Sequence, residues 1–374
     1  MEPVVITIIG AGVIGLAVAA RVAGKGREVY ILEKNETFGL ESSSRNSETI
    51  HAGIHWPEGS LMAETCVAGN AMLYELCEKH GIVCRKTGKL MVATIDEEVG
   101  RLEELLDQGR RNGVKGLELL PRKKVKELEP NVEAVAAISS PSTGTVDSHA
   151  LMRYFLNGAK EKGAEIAYKS KVVGIEKLPD GYDLVIEDST GTSSVRTGVV
   201  INCGGLHADE VAQLAGIDID EAGYRLHYCK GEYFSVSSSK QGLVKRLIYP
   251  LPDPATGGKG IHNVFDVDGR MRLGPSAQYV DEIDYSVDES NKGVFHDSVK
   301  AFLPFIEYDD LEPEMAGIRP KLQGPGEDFR DFVISHEGDR GLPGLINLIG
   351  IESPGLTSAP AIANYVAAMV DKLL

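Results

Sequence analysis

The chain has 374 residues, 43% hydrophobic and 25% charged, which is enough for a sizeable core or two domains and too balanced for a disordered or fibrous protein. A formal net charge of −16 repels nucleic acid over most of the surface. The same field repels a dianionic small molecule, so any acid-binding site must carry its own cations.

Residues 4–9 form a continuous apolar, β-branched run of the kind expected in a buried parallel strand. It ends in Gly10-Ala11-Gly12-Val13-Ile14-Gly15. A small-residue helix is predicted over 16–23, closed by Gly24 to Gly26, and a second buried strand over 29–32 finishes at Glu33. That is one βαβ unit in about thirty residues. Helices are predicted over 61–80, 97–112 and 151–162, stopped by Gly81, Gly113 and Gly163. Strands follow at 165–168 and 171–177, then a hairpin or meander over 180–195. A buried strand over 199–202 ends at Cys203-Gly204-Gly205, and a helix is predicted over 208–215. From 224 to 275 the texture changes to short alternating strands with many aromatics, which predicts antiparallel sheet. A helix over 288–302, a buried strand over 345–349 and a terminal helix over 359–374 complete the chain.

Rossmann-type segments therefore recur, and the β-rich stretches fall between them. This predicts an α/β chain whose discontinuous dinucleotide-binding domain comprises 1–87, 145–218 and 325–374. A mixed, largely antiparallel substrate domain comprises 88–144 and 219–324. Met1-Glu2-Pro3 carries no basic leader, and no apolar run approaches the ~20 residues that span a bilayer. Cys66, Cys77, Cys84, Cys203 and Cys229 make no C-x-x-C pair and no ligand-spaced set, which predicts reduced thiols and no metal site. A cytoplasmic location is expected, with peripheral attachment at the inner membrane as the alternative.

The glycine motif has its full context. Gly10 permits the tight turn leaving the strand, Gly12 lets backbone approach a pyrophosphate, and Gly15 allows close helix–strand packing. The helix N-terminus, with Val13 and Ile14 in its first turn, offers N–H groups and a partial positive charge to phosphates. Glu33 can accept hydrogen bonds from ribose hydroxyls and disfavours a 2′-phosphate. The motif alone does not separate FAD from NAD, and the next segment does. Residues 41–56 are polar, rich in glycine and serine, and without strand or helix period, where a nicotinamide dehydrogenase continues its βαβ alternation.

The ordered stretches SRNSETIHAGIHW (44–56), GKLMVA (88–93), TGTVDSH (143–149) and NCGGLHAD (202–209) carry a resemblance, as do KGEYF (230–234) and IYPLPDP (248–254). GIH (260–262), LGPSA (273–277), AGIRPKL (316–322) and ESPGLTSAPAIA (352–363) extend it to nearly the whole chain. The sequence resembles the D-amino-acid-oxidase-like (DAO) superfamily of flavoproteins, and within it the L-2-hydroxyglutarate dehydrogenase/oxidase branch. The resemblance implies a glutathione-reductase-type flavoprotein fold with non-covalent FAD. It places Gly10, Gly12, Val13, Ile14 and Gly15 at the pyrophosphate, and Glu33 and Lys34 at the adenosine. Ser44, Arg45 and Asn46 would meet phosphates and flavin rim, with His51 and Gly53 beside the flavin. Val172 and Val173 would meet adenine, while Cys203, Gly204 and Arg319 would complete the cofactor contacts. Ser353, Pro354, Gly355, Leu356 and Thr357 would bring a helix N-terminus to the pyrimidine edge, where it favours negative charge. The chain departs from the branch pattern at Asn263 and Val264, where a Phe-Thr pair is expected, and at Lys230, where arginine is commoner.

Oxidising a 2-hydroxy acid requires a base for the hydroxyl proton and cations for the carboxylates. Among nine histidines, His80, His296 and His336 read as exposed bystanders, and His149, His207 and His227 as structural. His51 and His262 are the candidate bases, since an imidazole titrates near neutral pH, and His55 is a candidate substrate contact. Arg319 is the expected clamp on one carboxylate, because a guanidinium grips it bidentately. Lys230 and Lys321 are the candidates for a distal carboxylate, and Tyr249 for a hydrogen bond to substrate. The expected reaction is hydride transfer from an L-2-hydroxy acid, L-2-hydroxyglutarate first, giving 2-oxoglutarate. An amine or amino-acid oxidase and a non-catalytic flavin-binding redox sensor are the alternatives. The electron acceptor is left open among quinone, oxygen or another.

Overall fold

The computed structural model describes residues 4–251 and 260–374. Met1-Glu2-Pro3 and residues 252–254 of the motif at 248–254 lie outside the described residues. The chain forms two compact units: Met1–Ser44, Ser148–Tyr228 and Arg319–Leu374 make the first, and Arg45–Asp147 with Cys229–Ile318 the second.

In the first unit, β1 (Val4–Ile9), α1 (Val13–Val22) and β2 (Arg27–Leu32) are the expected βαβ unit, with Ile8 opposite Ile31 in a parallel pair. Ile6, Thr7 and Ile8 are all fully buried, so β1 is covered on both faces and shows no alternation. The six-stranded sheet runs Val333–His336, Leu345–Ile349, Val199–Asn202, β1, β2, Glu165–Ala167. Only Val333–His336 pairs antiparallel. Helices Ser148–Lys160 and Gly355–Leu373 pack on α1, whose small Ala17, Val18 and Ala19 admit close approach. The meander is a separate sheet of Lys171–Leu178, Gly181–Asp188 and Gly191–Thr197. The terminal helix starts at Gly355, ahead of the expected 359, and carries Pro360 within it.

In the second unit, Lys89–Ala93 lies between Leu247–Pro250 and Ala136–Ser140, with Glu118–Pro121 outside. A further sheet orders His262–Phe265, Met271–Gly274, His227–Val236 and Gln278–Val280, with Leu311–Lys321 also paired to His227–Val236. Antiparallel pairing was expected throughout 224–275, yet Leu247–Pro250 runs parallel to Lys89–Ala93. The Asn263 side chain joins that strand to its neighbour, accepting from Ile248 N at 2.5 Å and donating to Arg246 O at 3.0 Å. Asn263 thus serves the framework, fully buried.

Residues 45–87 belong to the second unit, whereas the sequence places them with the dinucleotide domain. Strand Thr49–Ile50 pairs with Gly144–Val146, and Asn70 in helix Leu61–His80 donates to the carbonyls of both His51 and Ser142 at 2.9 Å. These long-range bonds are invisible to a reading by local pattern. In the same way 219–228 joins the first unit, where Tyr224 Oη donates to Glu337 Oε1 at 2.8 Å.

Candidate functional site: a dinucleotide cradle and a histidine–lysine cluster

The glycine turn in the first unit is shaped by close approach. Gly10 has φ +102, and a Cβ on it would lie 2.4 Å from the Cys203 carbonyl oxygen. A Cβ on Gly15 would lie 2.0 Å from Gly10 O, and one on Gly12 would meet Ser43 Oγ at 2.9 Å. Only glycine fits at Gly10 and Gly15, where the obstacle is backbone, whereas at Gly12 it is a side-chain hydroxyl that can turn aside. Gly12 is the N-cap of α1 and offers no side-chain cap. Val13 N donates instead to Ser43 Oγ at 3.0 Å, from the loop after β2.

Glu33 is buried at the end of β2, and both its carboxylate oxygens face backbone donors. Oε2 accepts from Ala11 N at 2.8 Å and Oε1 from Asn35 N at 2.9 Å. The carboxylate therefore holds the glycine turn against the following loop, and each oxygen keeps a second lone pair for a hydroxyl. Asn202 acts similarly on the far wall: Oδ1 accepts from Gly204 N at 3.0 Å, and Nδ2 donates to Asn347 Oδ1 at 2.8 Å.

Between these walls lies a cavity of about 740 Å³, within the range of cofactor sites. Gly10, Gly12, Glu33, Lys34, Val172, Val173, Cys203 and Gly204 line it, so eight of the sequence-derived contacts share one cavity. Val13, Ile14 and Gly15 sit beside it in the first turn of α1. The glycine clearances, the turn amides and the cavity's size fit a dinucleotide. His207, Glu41 and Glu210 also line it, and the sequence reading missed all three. Lys34 Nζ meets Glu41 Oε1 at 2.5 Å, His207 Nε2 lies 3.6 Å from the same oxygen, and His207 Nδ1 lies 3.3 Å from Glu210 Oε2. Contact with Glu41 raises the His207 pKa against the opposing effect of burial. Burial works to raise that of Glu41, but His207 and Lys34 together pull it below the usual carboxylate value. A signal was available in the sequence, because a histidine two residues past a Gly-Gly turn at a strand end falls on the ligand side of such a sheet.

The second unit gathers His51, His55, Tyr249 and His262. Tyr249 stacks on His262 with ring centroids 3.5 Å apart and on His55 at 6.3 Å, while His51 stands edge-on to Trp56 at 5.6 Å. Tyr249, His51 and His262 are buried, and burial pushes the Tyr249 phenol well above its ordinary pKa. Lys89 joins them, 1% exposed, with Nζ 2.9 Å from His55 Nε2 and 4.6 Å from the Tyr249 ring centre. With Lys89 Nζ donating, His55 Nε2 accepts and the ring proton sits on Nδ1. The His262 Nδ1 lies 2.7 Å from Gly260 O, which can only accept, so Nδ1 is protonated and Nε2 carries the lone pair. Lys89 is absent from the sequence-derived site. Its signal was a charge at the head of the otherwise apolar strand Lys89–Ala93, since lysine is almost never fully buried without a partner or a task.

The remaining expected residues are divided between the two units. Lys230 is buried but ion-paired, 2.7 Å from Asp284 and 3.9 Å from Glu232. Lys321 meets Glu352 at 2.5 Å. Both expected ligands for a distal carboxylate are thus neutralised by the protein's own acids. Arg319 is half-buried on Leu311–Lys321 between buried Ile318 and Pro320. Arg45 stacks on Tyr285 at 4.2 Å, and Asn46 Oδ1 accepts from Glu48 N at 2.8 Å. Gly53 has φ +106, with Val67 where a Cβ would stand. The Ser44 hydroxyl donates to Glu41 O at 3.3 Å. Ser353 and Pro354 lead into the terminal helix, whose first turn holds Gly355, Leu356 and Thr357. Among the described residues no group of three or more His, Cys, Asp or Glu could hold a metal ion, and no helix is long and apolar enough to cross a membrane.

Comparison with known proteins extends this geometry. The profile of the DAO family, described as FAD dependent oxidoreductase, matches residues 6–369. The mitochondrial L-2-hydroxyglutarate dehydrogenase of Arabidopsis thaliana is 36% identical, over 98% of this chain and 83% of that protein. The Homo sapiens protein of the same name is 31% identical, over 98% and 88%. Among solved structures, the L-alpha-glycerophosphate oxidase of Mycoplasma pneumoniae with FAD bound has a TM-score of 0.86 at 24% identity, covering 99% of this chain and 95% of that one. Glycine oxidase from Bacillus cereus has a TM-score of 0.79 at 22% identity, covering 99% and 96%. These two likenesses give the fold, and the family profile, an FAD-dependent oxidoreductase, gives FAD as the cofactor. With the family profile spanning residues 6–369 and the glycine turn, Glu33 and cavity in place, the chain belongs to the DAO family of FAD-dependent oxidoreductases.

Proposed function

We propose that this enzyme oxidises an L-2-hydroxy acid, L-2-hydroxyglutarate foremost, to the 2-oxo acid. The observation that carries the reading is the buried cluster of Lys89, His55, Tyr249 and His262, which combines proton acceptors with a cation inside a strongly acidic protein. The names of the relatives, which are L-2-hydroxyglutarate dehydrogenases, support the same substrate class.

Bound FAD supplies the two-electron acceptor for the hydride on the substrate's Cα. The chain supplies the rest. A histidine takes the hydroxyl proton, and the tautomers narrow the choice. His55 is unsuited, because its Nε2 lone pair accepts from Lys89. His262, with Nδ1 donating to Gly260 O, has Nε2 in the accepting form, and His51 is the other competent imidazole. Arg319 grips the C1 carboxylate through two parallel N–H groups. Apolar neighbours of the cluster, including Ile54, Leu90 and Phe265, keep the proton transfer away from bulk water.

The test is steady-state turnover with an artificial electron acceptor across L- and D-2-hydroxyglutarate, shorter 2-hydroxy acids, and glycine, proline and glutamate. The L-2-hydroxy diacid should give the highest kcat/KM. Preference for an amino acid would replace the proposal with an amine-oxidising reading, and turnover of no compound with FAD retained would favour a redox sensor.

A further inference from the structure

His207 stands between two acids that line the same cavity. Glu41 belongs to the loop after β2, and Glu210 to helix Ala208–Leu214. A neutral imidazole has one N–H and two carboxylates to satisfy. With Nδ1 donating to Glu210 Oε2 at 3.3 Å, Nε2 would turn a lone pair toward the Glu41 carboxylate 3.6 Å away, and Nε2 is buried without a hydrogen-bond partner. Only the imidazolium can donate to both.

The loop is already fixed at its other edge. Gly39 N donates to Ala11 O at 3.1 Å, and Ser43 Oγ accepts from Val13 N. Glu41 is the loop's reach toward His207, and Lys34, on the same loop, shares it. Losing the His207 proton leaves Glu41 tied only to its own loop.

We propose that His207 is a cofactor-positioning residue, an imidazolium latch that joins Glu41 to Glu210 and holds the loop after β2 closed over the bound dinucleotide. The latch rests on this cavity being where FAD binds. The groups facing His207 all bear on its charge: Glu41 and Glu210 favour the proton and Lys34 opposes it. Asp209 and the Tyr228 phenol flank the same acids, Asp209 being occupied by the Leu226 and Glu210 amides and Tyr228 by Leu206 O. The folded pKa of His207 is raised, so the latch is complete below the ordinary histidine value of 6.5 and opens as pH rises through the raised one.

The experiment is the rate of FAD loss from the holoenzyme after dilution, followed by the rise of free-flavin fluorescence between about pH 6 and pH 8.5. The wild-type rate should increase roughly three- to fivefold over that range, the size of a part-exposed ion pair. His207→Gln should lose FAD at the wild-type high-pH rate at every pH, and Glu41→Gln should do the same. A flat wild-type profile, or an unchanged slope in His207→Gln, overturns the latch while leaving the cavity assignment standing. Failure of the wild-type chain to retain FAD at any pH overturns both.

Discussion

Glu33 gives the most exacting test of the cradle, because its carboxylate has two tasks. It accepts from Ala11 N at 2.8 Å and Asn35 N at 2.9 Å, and it borders the cavity beside the glycine turn. Each of these two charged hydrogen bonds contributes about 1.5–3 kcal/mol, so Glu33→Ala should cost the protein on the order of 3–6 kcal/mol even without FAD. Glu33→Gln is the sharper variant. An amide presents one acceptor and one donor to two backbone N–H groups, so one N–H must face an NH2 in a buried setting. It should therefore destabilise nearly as much as alanine, despite keeping the shape. Urea unfolding of the FAD-free proteins gives the stability loss, and flavin fluorescence titration gives the affinity, expected to fall by about 100-fold or more in both variants. Glu33→Gln with parental stability in the FAD-free form and parental affinity would refute the assignment of Glu33 to the turn.

Three further outcomes follow from the site. Arg319→Lys keeps the charge and loses the fork, so kcat/KM for L-2-hydroxyglutarate should drop by about 10²-fold with FAD content unchanged; near-parental turnover would remove Arg319 from the site. Of His51→Gln and His262→Gln, the variant that removes the base should lower kcat by at least about 10²-fold and abolish the acidic limb of its pH profile, whereas equal small effects in both would refute a histidine base. Asp284 is held far below its ordinary pKa of 3.8 by Lys230, so its contribution to stability is complete above that value and lost as pH falls beneath it. Thermal melts of the wild type should therefore fall more steeply below about pH 4 than those of Asp284→Asn, and parallel curves would contradict the pairing.

How much of this was legible in the sequence depended on whether the signal was local. β1, the glycine turn, α1 and β2 are contiguous, and each residue's task is set by its neighbours. Helix Leu61–His80 was read to the residue because Ser60 caps it and Gly81, at φ 67, ends it. Strand Leu311–Lys321 was missed because Pro313, Gly317 and Pro320 break its pattern, although its pairing with His227–Val236 tolerates them. Lys89–Ala93 is buried at every position and so carries no alternation. At the site, the cavity's lining from 10–34 was readable, whereas Glu41 reaches the local His207–Glu210 pair only through the fold. Lys230 and Lys321 looked like free cations because the sequence does not show Asp284 and Glu352 beside them.

Transfer of the Cα hydride of a 2-hydroxy acid to FAD on this chain can be observed in a single turnover. The direct measurement mixes the oxidised holoenzyme anaerobically with one equivalent of L-2-hydroxyglutarate and follows the flavin's visible absorbance together with the keto acid formed. Bleaching should be accompanied by an equal amount of 2-oxoglutarate, and should slow several-fold when the Cα hydrogen is deuterium. A flavin that stays yellow with every 2-hydroxy acid, or that bleaches with an amino acid instead, would contradict the account.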